Sequence, residues 1–191
     1  MPDSAALGYF LELVDEAESI LSGDALREAK VPVSYHVEEK KEQPQVSLLR
    51  PGSVLFVLPF KAGPDRLLSS EEEALFRAWW DKSLHIREDG WSLTSLIREG
   101  GSWERSAADR DKALLRDELL QYKPRALVLF GYDLASYMTR KSAGMDALVK
   151  REFSINRIRT FVTWSPSDYL SRPNLKRPIW DNLCYIRDRL G

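Results

Sequence analysis

The sequence predicts a three-layer α/β domain with a mostly parallel sheet, and three observations lead to it. Short apolar runs of strand length recur between residues 53 and 164, and segments with helical spacing separate them. The run at 53–59 is apolar at nearly every position instead of alternating, which is the pattern of a strand covered on both faces. Strands that alternate with helices are joined by crossovers, and crossovers set neighbouring strands parallel and lay helices against the sheet.

Near the N-terminus, Leu7, Phe10, Leu11, Val14 and Leu21 fall at helical spacing after the candidate cap Ser4, and Gly23 supplies a stop. Residues 31–50 break that pattern, because Glu38-Glu39-Lys40-Lys41-Glu42-Gln43-Pro44 is charged, lacks apolar periodicity and carries proline. Residues 1–50 are thus expected to form a helix and a solvated connector, and residues 51–191 the α/β domain. The first core strand spans 53–59, between Pro51-Gly52 and Lys61-Ala62-Gly63-Pro64. Ser70 with Glu73 reads as a capping box for a helix that runs to about Ser83 with Ala74, Leu75, Ala78 and Trp79 on one face. Trp79-Trp80 is read as one core ring and one exposed ring, in preference to a base-stacking platform.

A second strand is expected at 91–97, followed by the loop Arg98-Glu99-Gly100-Gly101-Ser102. Ser106 is the candidate cap of a helix that carries Leu115, Leu119 and Tyr122, and Pro124 stops it ahead of the apolar strand at 126–130. Gly131 turns the chain into a short helix through Leu134 and Met138. A last strand is expected at 158–164, and Ile179, Leu183, Ile186 and Leu190 mark a closing amphipathic helix.

Composition narrows the function classes. A chain of 191 residues with 43% hydrophobic content fills the core of one ordinary domain. The net charge of −1 means that any affinity for DNA must come from a local basic patch. The single cysteine, Cys184, forms no intramolecular disulfide, and the start Met-Pro-Asp-Ser-Ala-Ala lacks the regions of a signal peptide, so the expected location is the cytoplasm. The longest apolar run, 54–60, falls far short of the ~20 residues of a membrane helix, and no membrane role is expected.

The most informative stretch is Thr163-Trp164-Ser165-Pro166-Ser167-Asp168-Tyr169-Leu170-Ser171-Arg172-Pro173-Asn174-Leu175-Lys176-Arg177-Pro178-Ile179-Trp180. It resembles the last functional motif of the uracil-DNA glycosylase superfamily, in which a buried strand ends in a His-Pro-Ser type turn, passes through a DNA-wedging loop and reaches a closing helix. Pro166-Ser167, the Leu170 to Pro173 spacing, Lys176-Arg177 and Trp180 follow the family order. Lys123-Pro124-Arg125-Ala126-Leu127-Val128-Leu129-Phe130-Gly131 is similar to the family's Lys-Pro, apolar strand and Gly. Over residues 53–191 the order of elements resembles the iron-sulfur members. The resemblance implies a four-stranded parallel sheet in the order 2-1-3-4, with a pocket at the carboxyl ends of its strands.

At the chemical positions the chain departs from that pattern. Ser165 stands in place of the histidine that donates to the developing charge on uracil, and a hydroxyl is a weaker donor. Leu58-Pro59-Phe60 replaces the carboxylate-bearing motif that positions water. Ser95 replaces the asparagine that reads the base edge, and its hydroxyl lacks the paired donor and acceptor groups of an amide. Asp65 is read as a loop residue, with a displaced catalytic carboxylate as the alternative, and His36 and His85 as ordinary polar residues. One cysteine cannot hold an iron-sulfur cluster, so Cys184 is read as core and neither a metal nor another cofactor is expected. The resemblance therefore implies a degenerate pocket of Leu58, Pro59, Phe60, Ser95, Ser165, Pro166 and Ser167, and no catalytic residue.

Two functions stay open. One is a non-enzymatic glycosylase-like protein of replication or repair, similar in its loss of chemistry to the DNA polymerase III psi subunit. The other is an atypical glycosylase acting on uracil or another deaminated base. On the first reading a replication or repair partner docks on the N-terminal arm, an analogy of position with the psi subunit's chi-binding segment. DNA meets the 165–177 loop, with Arg172, Lys176 and Arg177 on phosphates and Tyr169-Leu170 as the wedge. The alternative for that loop is that Tyr169 and Leu170 pack beneath it while the cations are solvated.

Overall fold

The computed structural model describes residues 49–99 and 101–191. The expected N-terminal helix and nearly all of the charged connector lie outside the described residues, as does His36. Within them the elements run β1 (Val54–Phe60), α1 (Ser70–Ala78), a π-helical turn (Trp79–Leu84), β2 (Trp91–Ile97), α2 (Arg105–Tyr122), β3 (Ala126–Phe130), α3 (Tyr132–Thr139), α4 (Met145–Leu148), β4 (Phe153–Ile155), β5 (Ile158–Thr163), α5 (Pro166–Ser171) and α6 (Lys176–Leu190). A single five-stranded sheet has the order β2-β1-β3-β5-β4, parallel throughout except for the antiparallel β4–β5 pair. The four strands expected from the sequence take the expected order, with β5 as the fourth. Among the described residues no helix is long and apolar enough to cross a membrane.

β1 is an interior strand between β2 and β3, and its residues Val54 to Leu58 are buried, as its unbroken apolar pattern requires. Pro59 has no N–H to give a ladder, and it falls where the pairing with β3 has already ended at Val57↔Leu129. Phe56 anchors an aromatic cluster: its ring lies 5.1 Å from Phe76 edge-on and 5.8 Å from Phe130 in a stack. Trp79 extends the cluster toward α5, edge-on to Tyr169 at 5.9 Å. Trp79 is a core ring, while Trp80 is half-buried against Trp91 at 5.4 Å. At Val57↔Thr94 the opposite parity of the sheet meets α2: the Glu118 carboxylate accepts from Thr94 Oγ1 at 3.2 Å and from Arg98 Nη2 at 2.6 Å.

Several local expectations shift. The capping box of α1 is Ser69 with Glu72, one residue earlier than Ser70 with Glu73, and the helix buries Phe76 while Ala74 is exposed. Both frames read Ser-x-x-Glu, and the packing of Phe76 and Trp79 selects between them. The α-helix ends at Ala78 and the chain continues as a π turn over Trp79–Leu84. α2 starts at Arg105 with no side-chain cap, so Ser106 lies inside its first turn. The strand β4 was not expected. Asn156 and Arg157 take φ values of 51° and 66°, the mirror-image turn that joins β4 to β5 as a two-residue hairpin.

Candidate functional site

In an open parallel sheet, ligands bind beyond the carboxyl ends of strands where the order reverses, here between β1 and β3. β1 delivers Leu58, Pro59 and Phe60 to that edge, β3 delivers Gly131, and β5 delivers Trp164 and Ser165. Gly131 takes φ 81°, which suits glycine, and its N–H donates to the Thr163 carbonyl at 2.8 Å. A side chain there would meet Ser165 Cβ at 3.8 Å and Asp168 Oδ2 at 3.9 Å, so this turn brings β3 close to the start of α5.

Ser165 is the N-cap of α5. Its Oγ accepts from the Asp168 N–H at 3.0 Å, and Asp168 Oδ2 accepts from the Ser165 N–H at 3.0 Å and from its hydroxyl at 2.8 Å. Pro166 at the first helical position needs no N–H partner. Ser165 therefore serves helix capping, and its one hydroxyl proton goes to Asp168. A second capping box faces it: Glu72 Oε2 accepts from the Ser69 N–H at 2.8 Å, while Oε1 accepts from the Ser167 hydroxyl.

Between these caps lies a small cavity of about 120 Å³, lined by Leu58, Pro59, Phe60, Leu68, Ser165 and Ser167 among others, with Glu72 as its carboxylate. Five of the seven expected pocket residues thus converge. Pro166 is buried but does not line the cavity, and neither does Ser95. Ser95 is fully buried beside Leu58 in the sheet, and its hydroxyl donates to the Ile97 carbonyl at 3.0 Å, so it is not placed to read a base. Ligand pockets commonly enclose about 300–1,000 Å³, and this one is smaller. Phe60 lines the cavity, and Trp164, next after β5, is buried without lining it.

The expected DNA-binding loop is largely helical: α5 covers Pro166–Ser171, a 3-10 turn covers Pro173–Leu175, and α6 begins at Lys176. Tyr169 is buried against Trp79 and is not a wedge, whereas Leu170 is 40% exposed. Arg172 pairs with Asp168, and Arg177 Nε donates to Asp181 Oδ1 at 3.2 Å, each one helical turn apart. Lys176 sits half-buried at the start of α6. α6 is locked to the strand edge by the fully buried Asn182: with its amide nitrogen turned toward β5, it donates to Val162 O at 3.1 Å and Thr163 Oγ1 at 2.8 Å.

The remaining candidates stay apart from the cavity. Asp65 is exposed, and His85 caps the π turn with φ 50° on the surface. Cys184 is half-buried on α6, and burial pushes its thiol pKa up, away from the reactive thiolate. Among the described residues no group of three or more His, Cys, Asp and Glu side chains is arranged to hold a metal ion. Glu72 and Asp168 are the groups that sequence reasoning missed at the site, although Ser69-x-x-Glu72 and Ser165-x-x-Asp168 both carry a capping signature. The chain matches no protein-family model, and no curated protein matches it significantly.

Proposed function

We propose that this chain is a non-enzymatic protein of uracil-DNA glycosylase-like, three-layer architecture, and that it serves DNA replication or repair in the cytoplasm as an accessory or scaffold. The single observation that carries the reading is the 120 Å³ cavity between two self-satisfied capping boxes. A glycosylase needs room for an extruded base and polar groups free to meet it. Here Ser165 and Glu72 are committed to helix N-termini. The three-layer assignment is supported by the parity of the sheet, with Phe56 facing α1 and Thr94 facing α2. On this reading residues 1–50 form a docking arm for a protein partner, and Leu170, Arg172, Lys176 and Arg177 form a surface for DNA.

The test is incubation with single- and double-stranded oligonucleotides that carry uracil, hypoxanthine or xanthine, scored for abasic sites. The expected result is none above a no-protein blank. One observation favours a second reading, an atypical glycosylase, because the Glu72 carboxylate lines the cavity in a family whose chemistry uses a carboxylate. Abasic sites that disappear in Glu72→Gln would establish that second reading and overturn the first.

A further inference from the structure

We propose that the groove between α2 and α3 binds single-stranded DNA, with phosphates along a cationic line on α2 and a base stacked on Tyr132. This groove encloses about 910 Å³ and runs from Trp103, at the carboxyl edge of the sheet, to Asn156 in the β4–β5 turn. It is separate from the cavity at Ser165 and shares no lining residue with it.

Arg105, Lys112 and Arg116 occupy positions i, i+7 and i+11 of α2. At 100° and 1.5 Å per residue these side chains stay within about 20° of one line and span about 16 Å. Arg140 and Lys141, just past α3, are exposed at the groove's other wall. Five cationic side chains line the groove against two carboxylates, Asp109 and Asp133. Asp109 is already engaged, accepting from Tyr137 Oη at 2.7 Å and from Lys112 Nζ at 3.2 Å. Lys112 and Arg116 carry exposed pairs with Asp109 and Asp117, which are weak enough to exchange for phosphate, and in a chain whose net charge is −1 the five cations are a local accumulation of positive charge.

The rings supply the second half of the argument. Tyr132, at the first turn of α3, lines the groove and is 42% exposed, so part of its ring is open to a base. Trp103 stands edge-on to Tyr137 at 5.8 Å, and the Tyr137–Asp109 bond holds that pair in place. Burial, followed by that bond, pushes the Tyr137 pKa up to about 12. Cations spread over several turns suit a chain of phosphates better than one phosphate, and rings in a groove meet a base face only when the strand is unpaired. The choice of DNA over RNA rests on the reading of the chain as a replication or repair protein.

The experiment follows the anisotropy of a fluorescein-labelled oligo-dT of about 12 nucleotides, within the span that single-strand binders cover, on the full chain at rising salt. Lys112→Gln with Arg116→Gln removes two exposed side chains and should flatten the slope of log affinity against log salt by about 1.4, at about 0.7 per contact. Tyr132→Ala should weaken binding roughly tenfold through lost stacking, with unchanged unfolding midpoints for both variants. No binding by the wild type at low salt, or binding that both variants retain, would overturn the groove. Competition by polyglutamate as strong as by oligo-dT would overturn it in favour of an acidic protein partner. Tighter binding of oligo-rU would overturn the assignment to DNA and, with it, count against a replication or repair role, while leaving the abasic-site result untouched.

Discussion

Glu72 on α1 and Ser167 on α5 are 95 residues apart in sequence, and the hydroxyl of one donates to the carboxylate of the other. The same carboxylate closes the capping box of its own helix through the Ser69 N–H. One side chain thus terminates α1 and ties it to the start of α5, directly over the cavity at the strand ends. Polar groups that line the cavity are thus already engaged at helix N-termini.

The arrangement predicts a measurable coupling. Glu72→Ala loses the N-terminal box and should destabilise by about 0.5–2 kcal/mol, while Ser167→Ala loses only the cross-link. In urea unfolding, the double variant should be less destabilised than the sum by about 0.5–1.5 kcal/mol. Strict additivity would mean that the two helix ends are held independently.

The course of the sheet was readable because each parallel strand is a dense apolar run ended by a breaker: Pro124 before β3 and Gly131 after it leave little freedom. β4 escaped because three residues at an edge carry almost no periodicity, and Asn156-Arg157 lacks the glycine that usually announces such a turn. At the site, the resemblance pointed to Leu58 to Phe60, Ser165 and Ser167, which line one cavity, but not to their engagements. Whether Ser165 faces a ligand or its own helix depends on Asp168, and whether Tyr169 projects outward depends on Trp79, which lies 90 residues earlier. The basic groove was invisible for a related reason, since its cations are contributed by α2 and by the turn after α3 and are dispersed among acidic neighbours.

A second prediction concerns acid. Asp111, buried on α2, accepts from Arg110 Nε at 2.7 Å and from the Arg98 N–H at 2.8 Å, which ties α2 to the end of β2. The Arg110 bond is the foremost reason that its carboxyl is held below the usual value; desolvation acts the other way, and the Arg98 N–H adds to the lowering. A lowered carboxyl stabilises the fold fully at pH above its unfolded value, and that stability is lost as pH falls through the folded value. Asp111→Ala should therefore cost about 1–3 kcal/mol at neutral pH, and the deficit should shrink once the wild-type carboxyl is protonated. A deficit independent of pH would show that the carboxylate charge contributes nothing.

The last prediction separates the two basic surfaces. On the strand-end surface Arg172 and Arg177 already have carboxylate partners, Asp168 and Asp181, so a phosphate there must displace an existing ion pair. Such exposed pairs are weak, about 0–1 kcal/mol, and do not forbid the exchange. If duplex DNA does bind at residues 172–177, Lys176→Ala with Arg177→Ala should flatten its salt slope by about 1.8, at about 0.9 per phosphate, while the binding of oligo-dT and its dependence on Lys112 and Arg116 stay unchanged. The paired measurement uses salt titrations of duplex and single strand on both double variants. Loss of both affinities in either variant would reduce the two surfaces to one, and a duplex slope unmoved by the first variant would leave protein docking as the role of the strand-end surface.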